Sequence, residues 1–435
     1  MRRAVVVGLL VVLLVPLASV GTAQSNPCVG TIDEPAEGVT VISTQGAKFQ
    51  NGHANKRPAR LVGVGPTGGI QWVYHASRAQ GIVWSYDVDP MANGNLFVTA
   101  TKQKQTLFFE LDPTNGSVVW KEQVDLLDTH DADLLDDHRI LIANMRNYNP
   151  DTGVNNDRLT IYNRTSDEFV WEWRFEGRFP RDGGWNYSDD WTHVNDVDRI
   201  APGQYLASVR NFDQVIVVDR DTGEIVRRLG RDDNHDIMDE QHNPQYLESE
   251  GGRPTILIAD SGNDRILEYE RGPLRWTRTW TLGTGGTLAW PRDADRLPSG
   301  NTLVTDSANN RVIEVTPEGE IVWEFYAPWL VYDAERVAYG DEAGGPTISD
   351  QGLAGTYELD GDTPLSMSEQ ATCAAFLKGW SAAMQSTRSP PPTTDDPTTT
   401  DPTTDPTATS GQPGFGVVVL VLAFAIVGWR VAQRE

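Results

Sequence analysis

The chain has 435 residues, and its 61 acidic side chains against 36 basic ones give a formal net charge of −25. Such a field repels polyphosphates and anionic bilayers alike, which excludes nucleic acid as a partner and excludes electrostatic docking on a membrane surface. It suits a halophilic setting, because at molar salt a Debye length of about 3 Å screens self-repulsion.

In chain order, Arg2 and Arg3 precede an apolar run from Ala4 to Leu17, and Gly21 and Ala23 supply small residues before a cleavage point. Residues 1–23 therefore read as a signal peptide, with the mature chain starting near Gln24 and the export route left open between the general and twin-arginine pathways. Residues 24–386 form the globular part. Between Gly38 and Pro328 no long 3.6-residue period occurs; short alternating strands recur with turns between them, in a unit of about 40 to 50 residues. The clearest copy runs from His193-Val194-Asn195-Asp196-Val197-Asp198 through Gly203 and Gln204–Ser208 to Val215–Val218 and the Asp219–Gly223 turn. Gln204–Ser208 reads as its inner strand and Val215–Val218 as a buried central one. Similar grammar starts at Val39, Tyr86, His130, Gln241 and Arg292. The expected fold is all-β, a six-bladed β-propeller with a short C-terminal helix over Met367–Met384.

Cys28 and Cys373 bracket this region; one disulfide tying its ends and two unpaired thiols are both compatible with the sequence. Sequons at Asn115, Asn163 and Asn186 permit glycosylation. Residues 387–412 are rich in Pro, Thr and Asp and form a solvated stalk. In 413–435, Pro413, Gly414 and Phe415 open an apolar stretch that ends before Arg430 and Arg434. This arrangement resembles the archaeal sorting signal named for its Pro-Gly-Phe tripeptide. The resemblance implies an archaeosortase-type partner that replaces the tail with a lipid; a retained short membrane anchor is the alternative. Either way the globular part is expected on the extracellular face of the membrane.

Only seven histidines exist, and His130, His193 and His242 fall at what reads as one position of three consecutive blades, just before the inner strand. Equivalent positions of neighbouring blades converge on one channel mouth. Tyr86 and Arg292 hold the matching places elsewhere and, with Asn195, are candidate substrate-binding residues. Arg210 ends Tyr205–Arg210, where its planar fork suits a tetrahedral oxyanion. His53, His75, His138 and His235 have no such register.

Trp191-Thr192-His193-Val194-Asn195, followed by Gly203–Arg210, Val218–Glu224, Leu229-Gly230 and Gln241-His242, resembles the arylsulfotransferase signature. The resemblance implies transfer of a sulfuryl group from an aryl sulfate to a phenol, with no nucleotide donor and no cofactor or metal. It further implies a transiently sulfurylated histidine at His242, with His130, His193, Asn195 and Arg210 binding sulfuryl oxygens or handling the phenol proton. Sequence neighbours favour His242 as nucleophile: Asn195 and Arg210 would keep His193 protonated, whereas His242 has no arginine in its own inner strand. Asn243 departs from the signature. Two rival readings stand beside this one. Asp260–Ile266 and Asp306–Val312 look like NHL-type repeats of a non-catalytic binding propeller, and three converging histidines also suit zinc.

Overall fold

The computed structural model describes residues 26–45, 48–50, 53–55, 59–283, 285–361 and 364–386. The signal peptide, the stalk and the C-terminal apolar segment lie outside them. Among the described residues no helix is long and apolar enough to cross a membrane.

Six four-stranded antiparallel units close into a β-propeller. One blade explains the others. Val194–Ala201, Gln204–Val209, Gln214–Asp219 and Ile225–Gly230 pair in sequence order. Along its middle strands successive side chains point to opposite faces. Ala207, Val209, Ile216 and Val218 therefore join the cluster shared with Leu141, Leu159 and Ile161 of the preceding blade. Leu206, Val215 and Val217 join Ile256, Ile258 and Leu267 of the following one. Both faces are buried, which is why Val215–Val218 is apolar without alternation. The outermost strand has one neighbour fewer and alternates between half-buried and exposed. At the Asp219 turn, Thr222 donates to the Asp219 carboxylate from its backbone at 2.9 Å and from its hydroxyl at 2.9 Å.

The innermost strands are Trp84–Pro90, Ala132–Asp136, Val194–Ala201, His242–Glu248, Pro291–Arg296 and Val331–Arg336. Two expectations change. The inner strand of the clearest repeat is Val194–Ala201, and Gln204–Val209 is the second strand: the short Gly203 turn joins two strands of the same sheet rather than leading into the channel. The repeat also continues past Pro328, because Val331–Arg336 pairs with Thr40–Thr44 and supplies the inner strand of the first blade. The ring is thus closed by strands from both ends of the chain. Val29–Ile32 and Gly355–Tyr357 add to the outer edges of two blades, covering them against stray pairing. The C-terminal helix spans Met367–Ser386. Cys373, which it carries, is disulfide-bonded to Cys28, 345 residues away.

Candidate active site at one channel mouth

The register of the inner strands is fixed by bonds between blades. The Asp131 carboxylate accepts the Val197 N–H at 2.6 Å, Asp333 accepts that of Val88 at 2.8 Å, and Asp293 accepts that of Ala334 at 3.3 Å. Aligning on these aspartates puts Tyr86, His130, Asn195, His242, Arg292 and Tyr332 at one ring of positions. This corrects the expected register, because Asn195, not His193, is the counterpart of His130 and His242. His193 sits two residues earlier, with Trp84, Asp128, Glu240, Trp290 and Leu330 as its counterparts. All but Trp84 have left-handed backbone, with φ of 43° at His193 and 51° to 62° at the others. That conformation is uncommon outside glycine and turns the incoming chain sharply toward the channel.

The turn nevertheless brings the three histidines to the same mouth. His130 and His193 have ring centroids 5.0 Å apart, and Tyr332 lies 5.7 Å from His130 and 6.1 Å from His242. Tyr86 packs 4.0 Å from His130 and donates its hydroxyl to Asp128. Tyr332, absent from the sequence reading, holds His130 Nδ1 at 3.2 Å from its hydroxyl. Burial raises both tyrosines far above their usual pKa, with Asp128 adding to it at Tyr86, so both stay neutral phenols.

His242 is 3% exposed. Its Nδ1 lies 2.8 Å from Ser261 Oγ and 3.0 Å from the Glu240 carbonyl. The Ser261 hydroxyl has one hydrogen, and the Pro291 carbonyl takes it at 2.5 Å. Both neighbours of Nδ1 are thus acceptors, so Nδ1 carries the proton and Nε2 keeps its lone pair. Among the described residues nothing hydrogen-bonds to that Nε2. Burial holds the imidazole well below its ordinary pKa, helped by Arg292, Arg210 and His193. The expectation of a cation-poor His242 is corrected here, since two guanidinium groups face it from other strands.

His193 Nδ1 contacts the Asp190 carboxylate at 2.8 Å. Arg146 donates to Asp190 through Nε at 2.9 Å and Nη2 at 3.1 Å, and to Asp128 through Nη1 at 2.8 Å. Burial works to raise Asp190, but His193 and Arg146 hold it ionised, well below the usual carboxylate range. His193 itself is lowered: burial acts first and, together with Arg210 and Arg146, outweighs the upward pull of Asp190. The expected protonated His193 is therefore corrected to a neutral one in the unliganded site.

Arg210 closes the second strand of its blade rather than the inner one. Its side chain is mostly buried and pairs with Glu240 at 2.8 Å, with Asn211 Oδ1 at 2.9 Å. Arg292 has no carboxylate partner among the described residues. Its Nη1 donates to Gln45 Oε1 at 2.7 Å, its guanidinium lies 5.2 Å above the Tyr332 ring, and its buried Nε is unsatisfied. Burial lowers it to about 10. Asn195 donates to the Gln241 carbonyl at 3.0 Å, while its buried Oδ1 has no partner. It stitches two blades at the level of His130 and His242.

The remaining candidates lie elsewhere. His138 and His235 are exposed and His75 is half-buried away from the mouth; the side chain of His53 is outside the described set. Asn115 and Asn186 are exposed and Asn163 is half-buried, all in or beside surface turns. The NHL-like segments are turn chemistry: Asp260 and Asp306 accept from Arg265 Nε at 2.6 Å and Arg311 Nε at 2.7 Å.

The model of the arylsulfotransferase (ASST) family matches residues 72–242. The matched span contains Tyr86, His130, His193, Asn195 and Arg210, ends on His242, and leaves out Arg292 and Tyr332. No curated protein matches the chain. Among solved structures it is similar to a protein of unknown function from Bacteroides caccae, at 13% identity over 69% of this chain and 98% of that one, with a TM-score of 0.46. A chain of a nidogen/laminin complex gives 12%, 68%, 97% and 0.44. Virginiamycin B lyase from Staphylococcus aureus gives 9%, 70%, 86% and 0.40.

Proposed function

We propose that this chain is an aryl sulfotransferase that acts on the outer face of the cell membrane and passes a sulfuryl group between phenols through His242. The observation that carries the reading is the protonation pattern of His242: with Nδ1–H committed to two acceptors, Nε2 keeps its lone pair in a pocket where Arg292 and Arg210 both act on the ring electrostatically. A neutral, desolvated imidazole is a nucleophile near neutral pH. The match to the arylsulfotransferase family model over residues 72–242 supports the same chemistry.

In the first half-reaction Nε2 attacks sulfur, and the sulfur–oxygen bond to the aryl group breaks with its electron pair leaving on the phenolate. Arg292 faces the sulfuryl oxygens, joined by Arg210 once the anion competes with Glu240. His130 is the proton donor to the leaving oxygen, and its Tyr332 contact supplies a second hydroxyl at the same place. In the second half-reaction the acceptor phenol gives its proton back to His130, its oxygen attacks sulfur, and the nitrogen–sulfur bond breaks. No atom or electron pair is needed beyond the two substrates, so the reaction requires neither nucleotide nor cofactor. The test offers purified protein a chromogenic aryl sulfate without acceptor. A single burst of phenol and an added SO3 on His242 are expected, and His242→Asn abolishes both. A burst retained by that variant, or label on His193, would refute the assignment.

A further inference from the structure

Below the histidines the channel continues as a shaft in which every titratable lining side chain is Asp or Glu. Stitching the blades together accounts for only part of this. Asp131 gives one oxygen to the Val197 N–H and Asp133 one to that of Arg199, at 2.9 Å. Where the shaft instead carries an amide, Gln245 Oε1 makes the equivalent bond to Arg296 at 2.7 Å, so the bond itself needs no charge. What remains is a set of acceptors that nothing satisfies. Asp196 is 4% exposed, and it and the half-buried Asp198 each have a carboxylate oxygen without a hydrogen-bond partner. A buried, unpaired acceptor is rare in native proteins and points to a missing ligand.

We propose that the shaft binds a calcium ion between Asp131, Asp196 and Asp198. One oxygen from each of these three residues lies within 4.8 Å of the others, matching twice a Ca–O distance of about 2.4 Å. The donor set is all oxygen, with no imidazole or thiolate in the lining, which selects a hard divalent cation over zinc or copper. Calcium fits better than magnesium because the donors come from neighbouring inner strands held at fixed stations, and calcium tolerates irregular coordination where magnesium demands an octahedron. The bound ion ties adjacent blades across the axis and offsets negative charge beneath a mouth that receives an anion. Asp131 and Asp196 directly follow His130 and Asn195 in the chain, but binding of the ion does not depend on the transfer reaction.

The full-length protein is stripped with chelator in high monovalent salt, exchanged into calcium, desalted and analysed by elemental mass spectrometry, with thermal midpoints recorded at constant ionic strength. Retained calcium and a midpoint rise of several degrees are expected. Asp196→Asn and Asp198→Asn lose both while keeping the wild-type circular dichroism. His235→Gln, which removes a separate surface group formed by Asp213, His235 and Asp239, keeps both. Absence of calcium and of any midpoint response in the wild type overturns the proposal and leaves protons as the neutralising partner. An undiminished response in Asp196→Asn overturns it equally. If both variants fail to fold, the wild-type ion content decides.

Discussion

Replacing Ser261 with alanine removes one of the two acceptors that hold the His242 proton on Nδ1. In the resting site this bond is neutral and is worth about 1 kcal/mol net. As Nε2 bonds to sulfur the ring becomes cationic, and the Nδ1–H bond becomes charge-assisted, worth about 1.5–3 kcal/mol. The difference acts only in the transition state and in the sulfurylated enzyme. With the Glu240 carbonyl still 3.0 Å away, Ser261→Ala loses part of that gain, about 1 to 1.5 kcal/mol, or roughly 5- to 12-fold in the rate of donor cleavage. It also strips the Pro291 carbonyl of its donor, at a cost of about 1–3 kcal/mol in stability. Stopped-flow release of phenol without acceptor reads the first effect, and a thermal midpoint reads the second. A lowered midpoint with an unchanged burst rate would make Ser261 merely structural and would remove the argument that Nε2 is the nucleophilic nitrogen.

A neutral nucleophile sets the sign of the pH dependence: because the His242 pKa is held below 6.5, donor cleavage should fall only as pH drops beneath that value, and a limb at or above pH 6.5 would contradict it. Arg292→Ala removes a guanidinium that has no carboxylate partner among the described residues and should lower donor kcat/KM by roughly 10- to 150-fold, from the 1.5–3 kcal/mol of a charge-assisted bond. The same variant moves the acidic limb upward, because a cation facing His242 is gone; unchanged kinetics would show that Arg292 does not meet the anion. Breaking the Cys28–Cys373 bond releases a loop of 345 residues, for which chain entropy gives roughly 6 kcal/mol as an upper bound, so Cys373→Ser should lower the thermal midpoint, and an equal midpoint would show that closure by Val331–Arg336 alone suffices.

The blades and the shared mouth of the three histidines were legible because strand period and turn chemistry are local, and each repeat restates them. The register was legible too, but in the aspartates: Asp87, Asp131, Asp196, Asp293 and Asp333 form one column, three members of which, Asp131, Asp293 and Asp333, bond blade to blade, and aligning on histidine identity instead shifted His193 into the place of Asn195. Tyr332 carried the same signal, since Tyr332-Asp333-Ala334-Glu335 repeats Tyr86-Asp87-Val88-Asp89. The repeat is hard to see there because the closing strand follows the sixth copy in sequence and belongs to the first in space. Arg146 and Asp190 had no signal at all. They sit in irregular loops, at no periodic position, and only the fold carries them to His193. Protonation states were the least legible feature. Burial dominates them, and the cations facing His242 come from other strands than its own.

One departure in the aspartate column explains how an acidic shaft and an anion site share one axis. Five blades place Asp directly after the ring position, and the blade carrying His242 places Asn243 there, with Gln245 instead of the second carboxylate. Gln245 keeps the inter-blade bond that an aspartate would make. The backbone at Asn243 has φ of 33°, a conformation that asparagine adopts more readily than most residues. Structure is therefore preserved while two acidic side chains are removed from the neighbourhood of His242. A carboxylate at 243 would do harm in two ways: it would raise the imidazole pKa toward the protonated, non-nucleophilic form, and it would repel the sulfuryl oxygens from Arg292. The amides stand where the transferred group must arrive, and the carboxylates occupy the other five blades.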